Sequence, residues 1–295
     1  MGNRNSFYRN NTMNILYVIK RNGEMKAGLI ITCLFIVLAL IAPYIAPYGV
    51  YDTDPSSILK PPSFTHLFGT DEMGRDLFSL NLYALKSTLL VGILSVVISS
   101  TIGLFMGILS GYFSGILDWL ITRVVDFLIS IPAIVLMIVM GSVFSSGVLS
   151  IILIIAILSW APIARVIRSI VLSVKELPFV QAAKALGASD LWIIRKHILP
   201  SVLPMTLVLT ILSIPNAIFS YAALVFMGVG SVDELNLGTI LYYAYVSGSL
   251  SSGRWWYFIP PGLILVTLAI GIMLVGRALE KELNPRLRES KPEPI

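Results

Sequence analysis

The sequence predicts an all-α integral membrane protein with about six transmembrane helices, and two observations carry that prediction. Of 295 residues, 56% are hydrophobic and only 13% charged, with a mean hydropathy of +0.86. A water-facing domain carries roughly 25% charged residues, so this chain cannot cover a globule in water and lipid must be its solvent. The apolar residues also come in six runs, each near the ~20 residues that cross a hydrocarbon core of ~30 Å.

The first run, residues 27–47, starts after Lys26 and ends at the Pro43/Pro47 pair. Polar residues fill positions 1–14, the run is too long for a signal-peptide core, and no A-x-A-like site follows it, so it reads as a retained helix. A polar segment, 48–84, leads to the second run, 85–109, whose small residues Gly92, Ser95, Gly103 and Gly107 allow close helix approach in lipid. Runs three and four cover 119–141 and 148–170, joined by an uncharged loop. A polar segment, 173–200, precedes runs five (202–227) and six (257–276), and a charged tail, 277–295, follows. The expected organisation is therefore a tail (1–26), a first helix (27–47), a polar segment (48–84), a five-helix domain (85–276) and a second tail.

The net charge of +5 and pI near 9.3 do not point to nucleic acid, because the basic residues flank the apolar runs. Six crossings place seventeen of the 21 Lys and Arg on one side, leaving Lys60, Arg75, Lys86 and Arg254 on the other. Positive charge stays inside, so both termini are expected in the cytoplasm and the chain in the plasma (inner) membrane. The single cysteine, Cys33, lies within an apolar run and excludes an intramolecular disulfide or a cysteine metal cluster. His66 and His197 are too isolated to make a metal site.

The cytoplasmic segment SVKELPFVQAAKALGASDLWIIRKHILPSVLP predicts two short helices at an angle. Pro178 suits a first helical turn and Gly187 the left-handed residue that ends it. Ser189 can cap a second helix, residues 191–198, with Arg195, Lys196 and His197 near its end, and Pro200 is expected to break it before the fifth span. Spacing alone leaves two readings: a protein-docking site in which Ala182, Ala183 and Ala185 let a partner approach, or an amphipathic element packed on lipid.

Gln181-Ala182-Ala183, Gly187 and Ile198-Leu199-Pro200 resemble the EAA motif of the membrane subunits of ABC importers. The resemblance implies a type I ABC importer transmembrane fold. It also implies that Phe179, Gln181, Ala182, Ala183, Leu186, Gly187, Ile198 and Pro200 form a coupling segment seated in a cytoplasmic ATPase. Gln181 departs from the family's usual Glu, keeping size and hydrogen bonding but not charge.

A second dense string, HLFGTDEMGRDLFS at 66–79, sits on the opposite side of the membrane. Gly69 and Gly74 mark turns, Thr70 and Asp71 can cap a short helix, and Arg75 among Asp71, Glu72 and Asp76 predicts local ion pairs in a compact loop. The string is similar to the HPxGTDxxGRDxLSR signature of the dipeptide, oligopeptide and nickel permeases, in their C-type member. Leu67 and Leu80 replace the usual Pro and Arg. The similarity continues at 123–126, 159–165 and 284–288.

Asp126 lies about one turn into the third run, three residues after Arg123, and the pair is a candidate structural clamp. Pro204, Pro215 and Asn216 can kink the fifth span, and Trp255 and Trp256 suit an interfacial belt. Asp233 and Glu234 either face a binding protein, as the resemblance implies, or lie in a solvated loop.

The chain has no G-x-x-x-x-G-K-[ST] loop, so it is not expected to be an enzyme or to hold a cofactor; the resemblance places ATP and Mg on partner subunits. It further implies a second homologous permease, two ATPases and an extracytoplasmic substrate-binding protein. Peptides are the default cargo, with oligosaccharides or nickel as alternatives. An ion-coupled secondary transporter is the rival from another class. It would call for inverted repeats around midplane ion ligands, and no such repeat is visible.

Overall fold

A computed structural model describes residues 22–144, 147–230 and 234–283. Among these, regular structure is helical: α1 (Gly23–Ile45), α2 (Leu77–Tyr112), α3 (Ile116–Ser130), α4 (Ala133–Val143), α5 (Val148–Lys175), α6 (Pro178–Ala185), α7 (Asp190–Ile193), α8 (Leu199–Phe226), α9 (Leu237–Val246) and α10 (Trp255–Leu283). Five rods are long and apolar enough to cross a membrane, namely α1, α2, α5, the continuous Asp190–Phe226 rod and α10.

The third crossing differs from the expected single helix. α3 and α4 meet at 94°, and Ile131-Pro132 interrupts them. Proline disfavours helical geometry in the residue before it and removes an amide from the ladder, which accounts for the break. At 15 and 11 residues the arms are about 22 and 16 Å long, so neither spans a core of about 30 Å alone. Together they connect the end of α2 to the start of α5, with the length and composition of a broken span or of a re-entrant pair.

The glycines set how closely the rods approach. Gly103, Gly107 and Gly111 recur every fourth residue on α2 and lie against Ile163, Ile167 and Val171 of α5. Where α1 crosses α10, a Cβ on Gly28 would lie 2.7 Å from the Gly271 carbonyl oxygen, and one on Gly271 would lie 2.6 Å from Ile31. Small residues stand in for a hydrophobic drive that lipid does not supply. Lys281 donates to both carboxylate oxygens of Glu24 at 2.8 Å, tying the same two helices at what is here termed the proximal end.

Both α2 and α8 contribute to each of the three largest apolar clusters among the described residues. The distal cluster includes Leu77, Leu85, Ile218, Leu237, Tyr257 and Leu268. The middle one joins Val91, Met137, Ile155, Tyr221 and Leu224. The proximal one joins Ile108, Ile167, Val171, Val180, Ile193 and Val202. α8 runs unbroken through Pro204 and Pro215.

Two features differ from the sequence reading. α2 begins at Leu77, inside the last turn of the 66–79 signature, and not near residue 85. The loop between the last two spans contains α9, whose Leu237, Gly238, Thr239 and Ile240 are buried. Asn236 caps it by accepting from the Thr239 amide at 3.0 Å, and Thr88 of α2 accepts from the Leu237 amide at 3.2 Å.

Candidate functional site

At the proximal end, α6 and α7 form the expected angled pair. Pro178 occupies the first turn of α6, where its missing N–H costs nothing. The stop is a Schellman motif: Gly187 N–H donates to the Lys184 carbonyl at 3.0 Å and Ala188 N–H to the Ala183 carbonyl at 3.1 Å. Gly187 adopts φ 84°, a left-handed conformation natural to glycine. Ser189 caps α7 by accepting from the Trp192 amide at 3.4 Å. The Tyr112 hydroxyl at the end of α2 donates to Asp190 at 2.7 Å.

Val180, Ile193 and Ile198 are buried and anchor this segment on α5 and α8. The other face is open. Leu186 is 89% exposed at the tip of the turn, and Phe179, Gln181, Ala182, Gly187, Leu191 and Trp192 are exposed beside it. Ala183 is half-buried. Ile198 therefore serves as an anchor and not as part of the open face, while Pro200 is exposed. Pro200 does not break the helix as expected. A π-helical turn, Ile194–Ile198, joins α7 to α8, and Pro200 sits at the second position of α8, where the first turn tolerates it.

Next to this segment, α3 is strapped to α5 by two ion pairs. Arg168 makes a two-point contact with Asp118, Nε to Oδ1 at 2.7 Å and Nη2 to Oδ2 at 2.8 Å. Arg165 Nη2 donates to Asp126 Oδ1 at 2.5 Å. Asp126 thus clamps α3 to α5 through Arg165, while Arg123, its i,i+3 neighbour, takes no part in that pair and stands over the Trp119 ring, 5.6 Å from its centre. Asp126 faces the neighbouring helix, where a guanidinium already waits.

At the distal end, residues 48–76 form a hydrogen-bonded loop around one carboxylate. Asp71 is fully buried; its Oδ1 accepts from the Met73 and Arg75 amides at 2.9 and 2.7 Å, and its Oδ2 from Arg75 Nε at 2.6 Å. The short helix expected after Thr70 and Asp71 does not form, and α2 is capped by Asp76, whose Oδ2 accepts from the Ser79 amide at 2.8 Å. Thr70 accepts from the Lys60 amide at 2.9 Å and donates to the Ser57 carbonyl. Gly74, at φ 74°, has no room for a side chain, since a Cβ would lie 2.0 Å from the Asp54 carbonyl oxygen. Gly69 is likewise closed off, by Lys60 and by Trp256, which packs on the loop while Trp255 stays half-exposed. The Tyr257 hydroxyl donates to the Glu72 carboxylate, joining loop and α10.

Asp54 caps the short turn Pro55–Ser57. Hydrogen bonds from the Ser57 and Ser56 side chains, and then from the Ser56 amide, hold its carboxyl down at about 2. A depressed folded value means that the cap's contribution is complete above about pH 4 and is lost as the pH falls through about 2. Carboxyl carbon-13 titration should place the Asp54 midpoint near that value. Replacing Ser56 and Ser57 together with alanine should raise it toward 3.8; an unchanged midpoint would assign the depression to another cause.

Comparison with known proteins bears on this architecture directly. Residues 103–289 match the family of binding-protein-dependent transport system inner membrane components, and residues 16–62 match the N-terminal TM domain of oligopeptide transport permease C. The chain belongs to this family of ABC importer permeases. This permease is 34% identical to the oligopeptide transport system permease protein OppC of Bacillus subtilis over 271 residues, covering 92% of this chain and 88% of that protein. It is 32% identical to the probable D,D-dipeptide transport system permease protein DdpC of Escherichia coli over 284 residues, covering 94% and 93%.

The permease also shares its fold with solved ABC transporters. Against the methionine transporter MetNI in inward-facing conformations the TM-score is 0.56 at 22% identity, covering 70% of this chain and 96% of that one. Against an amino acid ABC transporter with histidines it is 0.51 at 17%, covering 72% and 94%. The permease is a multi-pass protein of an inner-membrane family whose members are transport components. Of the residues singled out in the sequence, Phe179, Gln181, Ala182, Leu186 and Gly187 are exposed on one segment, and Gly69 to Asp76 lie in one loop. Asp233 and the 284–288 stretch lie outside the described residues.

Proposed function

We propose that this permease forms half of a translocation pathway for di- or oligopeptides and that its α6–α7 segment docks on cytoplasmic ATPase subunits. The observation that carries the reading is the two-faced build of that segment. Val180, Ile193 and Ile198 hold it to the bundle while Leu186, 89% exposed, stands at the turn between two short helices. Small neighbours at Ala182 and Gly187 let a partner surface close around it. The excess of Lys and Arg puts this proximal end, and both termini, in the cytoplasm. The distal loop then faces a substrate-binding protein, a second homologous permease completes the pathway, and ATP and Mg are held by the partner ATPases. The names of the peptide permeases support the cargo class.

The test is ATP-dependent uptake in proteoliposomes with partner permease, ATPases, binding protein and a peptide pool. Leu186→Arg adds charge at a position that is 89% exposed and is the deciding variant; Gly187→Arg adds bulk into open space beside it but also strains the left-handed residue that ends α6. Both should release the ATPases and lower uptake at least about tenfold, the equivalent of about 1.4 kcal/mol of docking energy. ATPases retained, with uptake at the wild-type rate in both variants, would make the segment an element packed on lipid.

A further inference from the structure

Between α6 and the ends of α2 and α5 lies a cleft of about 240 Å³, bordered by Tyr112, Ser114, Lys175, Glu176, Gln181 and Lys184. Val180 is the buried residue of α6 and packs in the proximal cluster. The Gln181 side chain adds a polar contact to the end of α5. Its Nε2 donates to the Lys175 backbone carbonyl at 2.8 Å and lies 3.4 Å from Glu176 Oε2.

Lys175 is the last residue of α5, so its carbonyl is among the four that a helix leaves without an internal donor. Both neighbours of the Gln181 amide group, a carbonyl and a carboxylate, only accept hydrogen bonds. The nitrogen must therefore be the atom that faces them. A glutamate in this place would present acceptors alone, against a carbonyl and a second carboxylate, and would be turned away.

We infer that Gln181 is a positioning residue, a side-chain cap on the C-terminus of α5 that makes α6 move with α5. The proposal rests on the docking role of α6 given above and adds how its motion reaches the bundle. It also assigns the departure from Glu a consequence: here the amide of an exposed residue bonds back to its own chain and supplies a donor rather than a negative charge to a partner.

Three substitutions in the complete transporter separate this from a partner-facing role. Gln181→Met keeps the length but has no donor, Gln181→Glu has acceptors only, and Gln181→Lys offers three donors to the same carbonyl and to Glu176. Two quantities are read: hydrogen exchange of the amides of residues 180–186, and peptide imported per ATP hydrolysed. In Met and Glu variants, exchange should rise on the order of tenfold and the import ratio fall severalfold, with Lys near wild type on both. A Glu variant equal to or better than wild type, with Lys the worst, would overturn the inference and assign the position to a charge contact with the ATPase. Unchanged exchange in the Met variant would overturn it as well, as would raised exchange with an unaltered import ratio. If Leu186→Arg also leaves uptake intact, it is the docking role that has failed; if Leu186→Arg stops uptake while Gln181→Met is silent, only the cap has.

Discussion

Gly107→Leu should leave almost no folded permease, whereas Gly262→Ala on α10 should be silent. A Cβ at position 107 would lie 2.7 Å from Ile167 Cβ and 2.9 Å from the Ala164 carbonyl oxygen. The isoleucine is β-branched and fully buried, and the carbonyl belongs to helix backbone, so neither can turn aside. Positions 103 and 111 repeat the contact one turn away on each side, with Cβ clearances of 2.9 and 2.7 Å to Ile163 and Val171. Relief therefore requires α2 and α5 to separate along three turns. Even a single methyl, in Gly107→Ala, should cost about 1–3 kcal/mol as overpacking, and leucine more. A Cβ at Gly262 meets nothing within 4 Å. Size-exclusion profiles and thermal midpoints in detergent would show the graded series. A Gly107→Leu protein with the wild-type midpoint would mean that the α2–α5 contact is not what holds the bundle.

Asp71→Ala is expected to be the most damaging single change in the distal loop. It removes the acceptor of two partly buried amide contacts and the partner of Arg75, whose side chain is 16% exposed, so that a cation and two N–H groups lose their match together. Breaking a buried pair from one side costs about 3–5 kcal/mol, because the remaining charge is left uncompensated. Asp71→Asn should fall between, keeping an acceptor for the amides but losing the charge that holds Arg75. Limited proteolysis of residues 48–76, run beside the thermal midpoint, would report the loop apart from the bundle. Equal cleavage rates in Ala variant and wild type would show that the loop is held elsewhere, for instance at Glu72 and Tyr257.

Much of this architecture was legible because lipid leaves few options: apolar runs of the right length must be helices, and polar residues collect at their ends. The α6 boundaries were readable from Pro178, Gly187 and Ser189, since each acts through its own backbone or cap. What escaped depended on residues far apart in the chain. Asp126 has Arg123 three positions away but pairs with Arg165 across a helix interface. No short helix forms at Thr70 and Asp71, because the buried turn around Asp71 engages them, and Asp76 caps α2 instead. Pro132 did carry a local signal for the 94° bend, and it was hidden by the uninterrupted apolar character on either side. α9 was hidden the other way, ten residues being too short to read as a crossing, although Asn236 marked its start.

The π-helical turn at Ile194–Ile198 bears on how this chain tolerates change in length. Because it joins α7 to α8 without a loop, the direction in which α6 and Leu186 point is geared to the residue count between them and the span. Each residue of an α-helix turns the chain by about 100°. Removing one residue from the π-turn would restore ordinary helical bonding and cost little as local structure. It would also turn α6 and α7 relative to α8 and so draw Val180 and Ile193 out of the apolar contacts that anchor them on the bundle. Length there is constrained in a way that a flexible linker would not be, and a chain one residue shorter at this place should lose the seating of Val180 and Ile193 in the proximal cluster.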